Sequence, residues 1–185
     1  MKTYVFSLTI SNNIAAESQS EDDLSDALYG GGCDDSVIAT YNNTFYLTFD
    51  READNYEQAV MSAIADVEAA INLPVLSVDA GDMVGLTDAE KLSGITKTLL
   101  SKYNKGTRGN GDFPSPIQRV NTKNAIWSWY DIADWLEANG FVEKEIVDNA
   151  RVTAAINMSL QARKYHLLAD VNRYTDMLKG CAVAG

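Results

Sequence analysis

Apolar and polar residues alternate with a period of two from Tyr4 to Ile10: Tyr4, Phe6, Leu8 and Ile10 fall on one side, Val5, Ser7 and Thr9 on the other. That period predicts a strand with one buried face. After a polar stretch, Ser20 stands before Glu21-Asp22-Asp23, with Leu24, Ala27 and Leu28 at helical spacing. Ser20 predicts an N-cap, acids in the first turn suit the helix dipole, and Gly30 to Gly32 end this short helix. Val37 to Tyr41 and Thr44 to Phe49, rich in β-branched and aromatic residues, flank Asn42-Asn43 and predict a tight hairpin. Asn55 caps a second helix with the stripe Ala59, Val60, Ala63, Ile64, Val67 and Ile71, and Pro74 opens a last strand over 75–78. The order βαββαβ predicts a ferredoxin-like sandwich over residues 1–80, with two helices on one face of a four-stranded antiparallel sheet.

The pattern changes at Leu86. Thr87 with Glu90 three residues later predicts a capping box for a short helix over 88–93 whose Ala89 and Leu92 face inward. Gly94 turns the chain, Ile95 plugs the turn, and Thr96 is a second N-cap for a helix over 96–105. Two capped helices across a glycine turn predict a helix-turn-helix, in which the first braces and the second offers polar side chains to a major groove. Leu99, Leu100 and Tyr103 pack inward in this reading, leaving Lys97, Thr98, Ser101, Lys102 and Lys105 outward. A partly basic loop runs from Gly106 to Pro114. Residues 117–120 and 125–127 then predict a hairpin, the wing, across Asn121-Thr122-Lys123-Asn124. Ser128 with Asp131 caps an amphipathic helix carrying Trp129, Ile132, Ala133, Trp135 and Leu136, which Gly140 ends.

From Glu143 to Lys179 there is neither glycine nor proline, which predicts one long helix or two. Ile156, Leu160, Leu167, Val171, Tyr174 and Leu178 lie close to a heptad stripe. Asn157 and Arg163 interrupt it, as polar residues do at register-fixing positions in paired helices. A stripe of this kind requires cover, either a sister subunit in a homodimer or the protein's own body.

Charge divides the chain. Net charge over 185 residues is -11, yet residues 1–80 hold 14 acidic side chains against Lys2 and Arg51 alone. Residues 81–140 balance 7 acids with 7 bases, and residues 141–185 carry a net +1. Lys97, Lys102, Lys105, Arg108, Arg119 and Lys123 form a basic island in which Asp112 is the one acid. A strongly acidic front half repels phosphate, so any nucleic-acid contact belongs to the island. The clusters Asp22-Asp23 and Asp34-Asp35 lack ordered oxygen-ligand spacing and read as helix-start charges and turn formers.

A hydrophobic content of 46% with 22% charged residues fits a globular protein and excludes collagen-like and largely disordered classes. No apolar run approaches the roughly 18 to 20 residues of a membrane span, and Met1-Lys2-Thr3-Tyr4 alternates where a signal peptide would be continuously apolar, so a cytoplasmic location without membrane contact is expected. Cys33 and Cys181 are far apart and read as free thiols, and His166 is the only histidine. Neither a metal site, a cofactor loop nor a nucleophile signature is present, so no enzyme activity is expected.

Residues 83–139 resemble the winged helix-turn-helix of the MerR, excisionase and AlpA-like group of bacterial and phage DNA-binding proteins. The resemblance is carried by Met83-Val84-Gly85-Leu86-Thr87, Gly94-Ile95-Thr96, Phe113-Pro114-Ser115-Pro116-Ile117 and the stretch from Ile126 to Leu136. It implies DNA contacts from Thr96, Lys97, Thr98, Ser101 and Lys102 in the recognition helix, and from Arg108 and Lys123 at the wing. Lys97 and Lys102 are point charges, where an arginine would read guanine bidentately. The first eighty residues are similar to a domain preceding this module in uncharacterised bacterial regulators. The chain is thus expected to be an α+β protein of three parts: an acidic ferredoxin-like domain over 1–80, a winged helix-turn-helix over 81–140 and a helical segment over 141–185. The expected function is transcriptional regulation on double-stranded DNA, with pairing through the C-terminal helix. The alternative is an antitoxin or adaptor whose acidic front domain binds a basic protein.

Overall fold

The computed structural model describes residues 1–11, 21–42, 44–79 and 81–181. The expected cap at Ser20 and the second hairpin residue, Asn43, lie outside them. The front half runs β1 (Lys2–Ile10), α1 (Glu21–Gly30), β2 (Ser36–Tyr41), β3 (Thr44–Ala53), α2 (Tyr56–Ile71) and β4 (Val75–Asp79). The strands pair antiparallel in the order β2-β3-β1-β4. Alternation in β1 and β3 turns Phe6, Leu8, Ile10, Leu47 and Phe49 onto one core with Ala59, Val60, Ala63 and Val67 of α2. Asn55 caps α2, its Oδ1 accepting the Gln58 N–H at 2.9 Å. The hairpin residue Asn42 takes the left-handed conformation, φ 45°.

Arg51 lies on the core side of β3 and is 6% exposed. Its Nε and Nη2 donate to the two carboxylate oxygens of Asp35 at 2.8 and 2.9 Å, Nη1 to Asp66 and Ser62, and Nη2 also to the Gly32 carbonyl. The guanidinium also lies 5.0 Å from the Phe49 ring centre. These carboxylates hold its pKa well above the usual arginine value against the opposing effect of burial. One buried cation therefore ties the α1–β2 loop, β3 and α2 together. Asp35 departs from the sequence reading here: it is half of a fork-shaped ion pair rather than a solvated turn former. Beside it, burial raises the Cys33 thiol to about 11, although Arg51 pulls the other way.

The second half comprises β5 (Met83–Val84), α3 (Leu86–Ser93), α4 (Lys97–Asn104), β6 (Trp127–Ser128), α5 (Trp129–Ala138), α6 (Lys144–Lys164) and α7 (Leu168–Lys179). Together with the front half this makes a mixed α+β protein. Leu100, Tyr103, Trp127, Trp129, Ile132 and Leu136 build a second core. The start of α3 corrects the expected Thr87–Glu90 capping box. Leu86 packs against this core, the helix begins there, and the cap is Gly85: its N–H donates to Asp88 Oδ2 at 3.1 Å.

Helix α6 joins the two cores, giving Val147 and Ala150 to the second and Leu160 to the first. Its Asn157 corrects the paired-helix expectation. The Asn157 amide accepts from the Val78 N–H at 2.7 Å and donates to the Val78 carbonyl at 3.0 Å and to Asp82 at 2.9 Å. It therefore satisfies the outward backbone groups of an edge strand, which are costly to bury unpaired. Arg163 likewise bonds Glu68 and the Val75 carbonyl, and the buried Tyr56 hydroxyl meets Thr153 Oγ1 at 2.9 Å. The N-terminal part of the stripe folds back on its own body. After Tyr165 and His166, which has φ 55°, α7 leaves that body with no residue buried. Among the described residues no helix is long and apolar enough to cross a membrane.

Candidate nucleic-acid interface

The candidate interface is built on the turn between α3 and α4. Gly94 ends α3 with φ 72°, a conformation that strains a side chain, and its N–H returns to the Glu90 carbonyl at 2.8 Å. Thr96 caps α4, its hydroxyl accepting the Leu99 N–H. The expected helix over 96–105 is thus α4 proper with Thr96 and Lys105 as its two caps. Leu100 and Tyr103 bury one face, Leu99 and Ser101 are partly buried, and Lys97, Thr98, Lys102 and Asn104 are open to solvent.

Aromatic residues hold the following loop against α5. Phe113 and Tyr103 lie 5.1 and 4.9 Å from the Trp135 ring centre, Trp135 Nε1 donates to Asp112, and Trp127 Nε1 donates to the Pro114 carbonyl at 3.0 Å. The chain then returns through Gln118 and Ile126, which form a single antiparallel bridge. The expected strands over 117–120 and 125–127 shrink to this contact. Ile117 and Val120 are exposed, and the return is held by backbone bonds from Ile117 and Gln118 to the Ile126 carbonyl and from Ile126 back to the Gln118 carbonyl. β6 continues this edge by pairing with β5, and Ser128 caps α5 by accepting the Asp131 N–H.

A groove of about 590 Å³ separates α4 from this returning loop. Lys97, Ser101, Asn104 and Lys105 line one wall, and Val120, Thr122, Lys123 and Asn124 the other. The structure therefore gathers Lys97, Ser101, Lys105 and Lys123 about one opening. Thr98 and Lys102, one turn apart, occupy the exposed flank of α4 outside it. Arg108 lies off the groove with its guanidinium 5.8 Å from the Tyr103 ring centre, and Thr96 is engaged as a cap.

Thr87 is a groove residue that the sequence reading assigned to capping alone: its Oγ1 accepts from Lys97 Nζ at 2.7 Å. Asn104 and Asn124 were also missed, and their only signal in the sequence was proximity to lysines. Arg119 counted toward the basic island without a position, and it takes φ 52° in the turn that Thr122 closes onto its carbonyl. Asp88, at the foot of the groove, has its carboxylate on the Gly85 N–H and also lines a separate cleft with Ser7 and Asp79. Helix α3 therefore stands between the front sheet and the groove.

Ion pairs engage some of the cations elsewhere in the molecule, though Lys91, Arg151 and Lys164 have no ion pair among the described residues. Lys2, Arg51, Lys144, Arg163, Arg173 and Lys179 each contact a carboxylate. Among the described residues, none of Lys97, Lys102, Lys105, Arg108, Arg119 or Lys123 has an ion-pair partner. Such an array can take up an extended polyanion without first breaking internal pairs. Among the described residues no cluster of three or more His, Cys, Asp or Glu side chains could hold a metal ion. The known family models, the curated proteins and the solved structures contain no match to this chain.

Proposed function

We propose that the protein is a DNA-binding transcriptional regulator whose residues 81–140 act as a winged helix-turn-helix, with α4 as the recognition helix. The observation that carries this reading is the set of unpaired cations around the α4 groove in an otherwise acidic chain. Lys97 and Lys105 flank Ser101 on the groove side of α4, a spacing that sets two phosphate-binding charges around a hydroxyl able to meet a base edge. Lys102 and Arg108 extend the charge along the outer flank, and Lys123 supplies it from the returning loop. The strand order of the front half supports a ferredoxin-like domain, which serves here as a sensing or docking module. With two copies paired, the operator carries half-sites about one helical turn apart.

The test is fluorescence anisotropy of the full chain on a duplex from upstream of its own gene, across a salt series. With Lys97, Lys102, Lys105, Arg108 and Lys123 on phosphates, the slope of log K against log salt reaches about -4 to -5 per protomer. A slope near zero, or equal affinity for a scrambled duplex, overturns the reading. A second reading rests on the open sheet face, where exposed Val5, Val37 and Tyr41 accompany Asp50 and Asp79. That surface fits a basic protein, as an antitoxin or adaptor would bind. A stoichiometric basic protein recovered from the native host on residues 1–80, with no DNA shift by the full chain, favours it.

A further inference from the structure

We infer that α7 is a self-association segment in which Leu167, Val171, Tyr174, Leu178 and Cys181 form one seam that pairs in parallel with the same seam of a second copy of this chain. Spacings of four, three, four and three residues separate these positions, the heptad rhythm of a two-stranded coiled coil. The end of the helix keeps Cys181 in the series. Gly180 N–H bonds the Met177 carbonyl at 3.1 Å and Cys181 N–H the Leu178 carbonyl at 3.0 Å. These tight turns set Cys181 above Leu178. Among the described residues the seam stays open, Val171 being 45% exposed, Tyr174 54% and Leu178 68%; Arg173 alone reaches over its edge, donating to the Tyr174 hydroxyl at 3.0 Å with its guanidinium 4.6 Å from that ring centre. The interruptions at Asn157 and Arg163 do not weaken it, because both belong to α6 and are occupied at the sheet edge.

Charge identifies the occupant. Two copies of a chain with net charge -11 repel one another almost everywhere. α7 is an exception, since its Asp170, Arg173, Asp176 and Lys179 cancel and pair within the helix at 2.8 and 2.9 Å. A basic or acidic partner finds no net charge to match there, whereas an identical helix presents the same residues at the same heights, as a twofold axis requires. Val171 at the first core position and Leu167 at the fourth follow the preference of a parallel pair, with Leu178 at the next first position and Tyr174 and Cys181 at the next two fourth positions completing the series. A parallel axis also stacks Cys181 on its counterpart, while an antiparallel one would set it against Leu167. Twelve helical residues bury well under the roughly 1,200 Å² of a stable interface, so the association depends on protein concentration.

The inference uses none of the residues assigned to DNA, and its test is independent of DNA. Sedimentation equilibrium of the full chain over a concentration range, under reducing conditions, is expected to show a monomer–dimer equilibrium. Val171→Asp with Leu178→Asp weakens it by about a hundredfold or more, and Cys181→Ser leaves a dimer. Diamide then probes the register: two Cys181 thiols lose two protons and two electrons to the diazene and form one disulfide. Cys33 does not compete, being buried and held as the thiol. A single covalent dimer, lost in Cys181→Ser and suppressed in the double aspartate variant, is the expected result. A monomer at every concentration overturns the inference, as does a dimer indifferent to the aspartates. Association without the Cys181 cross-link overturns the parallel register. Because α7 buries nothing, unchanged far-ultraviolet circular dichroism shows that the variants remain folded.

Discussion

Arg51 and the lysines of α4 carry the same charge in opposite settings. In the front half, the buried guanidinium has every nitrogen bonded and two carboxylates assigned to it, so its charge serves cohesion. Around α4 the cations are exposed and have no carboxylate partner, so their charge remains available to something outside the molecule. Position and partner, rather than residue type, divide the cation that binds the fold together from those left open to solvent. Ion pairs alone do not draw the division, since Lys91, Arg151 and Lys164 also lack one among the described residues; clustering around a single groove is what sets the α4 cations apart.

The largest effect should come from breaking the structural side of this contrast. Arg51→Met leaves Asp35 and Asp66 without their cation and the Gly32 carbonyl without its donor, at about 3 to 5 kcal/mol. Urea unfolding measures it, and any residual folded protein should keep whatever DNA affinity the proposed groove confers on the native chain. Asn157→Leu comes next. It strips the Val78 N–H and carbonyl of partners at a buried edge, costing about 2 to 3 kcal/mol and loosening the two cores from one another, which hydrogen exchange at Val78 reports.

Alkali probes the same core more gently. The Cys33 thiol is raised from the usual 9.0 to about 11 in the folded protein. Its contribution to stability is therefore complete below pH 9, where both states are protonated, and is lost as the unfolded thiol ionises first. Stability should fall between pH 9 and 11 by at most about 1.4 kcal/mol per pH unit. Cys33→Ala should flatten that fall. Tyr56, raised by burial despite its bond to Thr153, adds to the loss at higher pH.

On the recognition side, Lys105→Ala or Lys123→Ala should each remove about one unit from the logarithmic salt slope of DNA binding. Stability should hardly change, since neither residue has an internal ion pair to lose. The smallest effect belongs to the tail: Val171→Asp should alter monomer stability by no more than about 0.5 kcal/mol, because the side chain leaves no core. Thermal unfolding at low protein concentration tests this, and a larger loss would mean that α7 packs on the body.

α6 and α7 show how far periodicity can be read. The stripe from Ile156 to Leu178 has one rhythm in the sequence, yet Leu160 enters the front core and Leu178 stands in water. Apolar spacing records that a face needs cover and is silent on what covers it. Elements whose information lies within a few residues were legible: β1, the Asn55 cap with its stripe, the Gly94 turn, and the caps at Thr96 and Ser128. The groove was half legible, because Lys97, Ser101 and Lys105 lie on one helix face at readable spacing, while Thr87 and Asn124 join them only through folding.

Local chemistry in the sequence, then, determined the order of the front-half strands and helices, which faces are apolar, and where positive charge collects, but not the start of α3 or the extent of the wing. Tertiary structure alone decided that Asp35 and Asp66 converge on Arg51, that Asn157 completes the edge of β4, and that α4 faces the loop carrying Lys123. The physical reason is range. Backbone hydrogen bonds and caps are settled among neighbours, whereas the partner of a buried guanidinium or an edge-strand amide is chosen only when distant segments meet and water leaves the space between them.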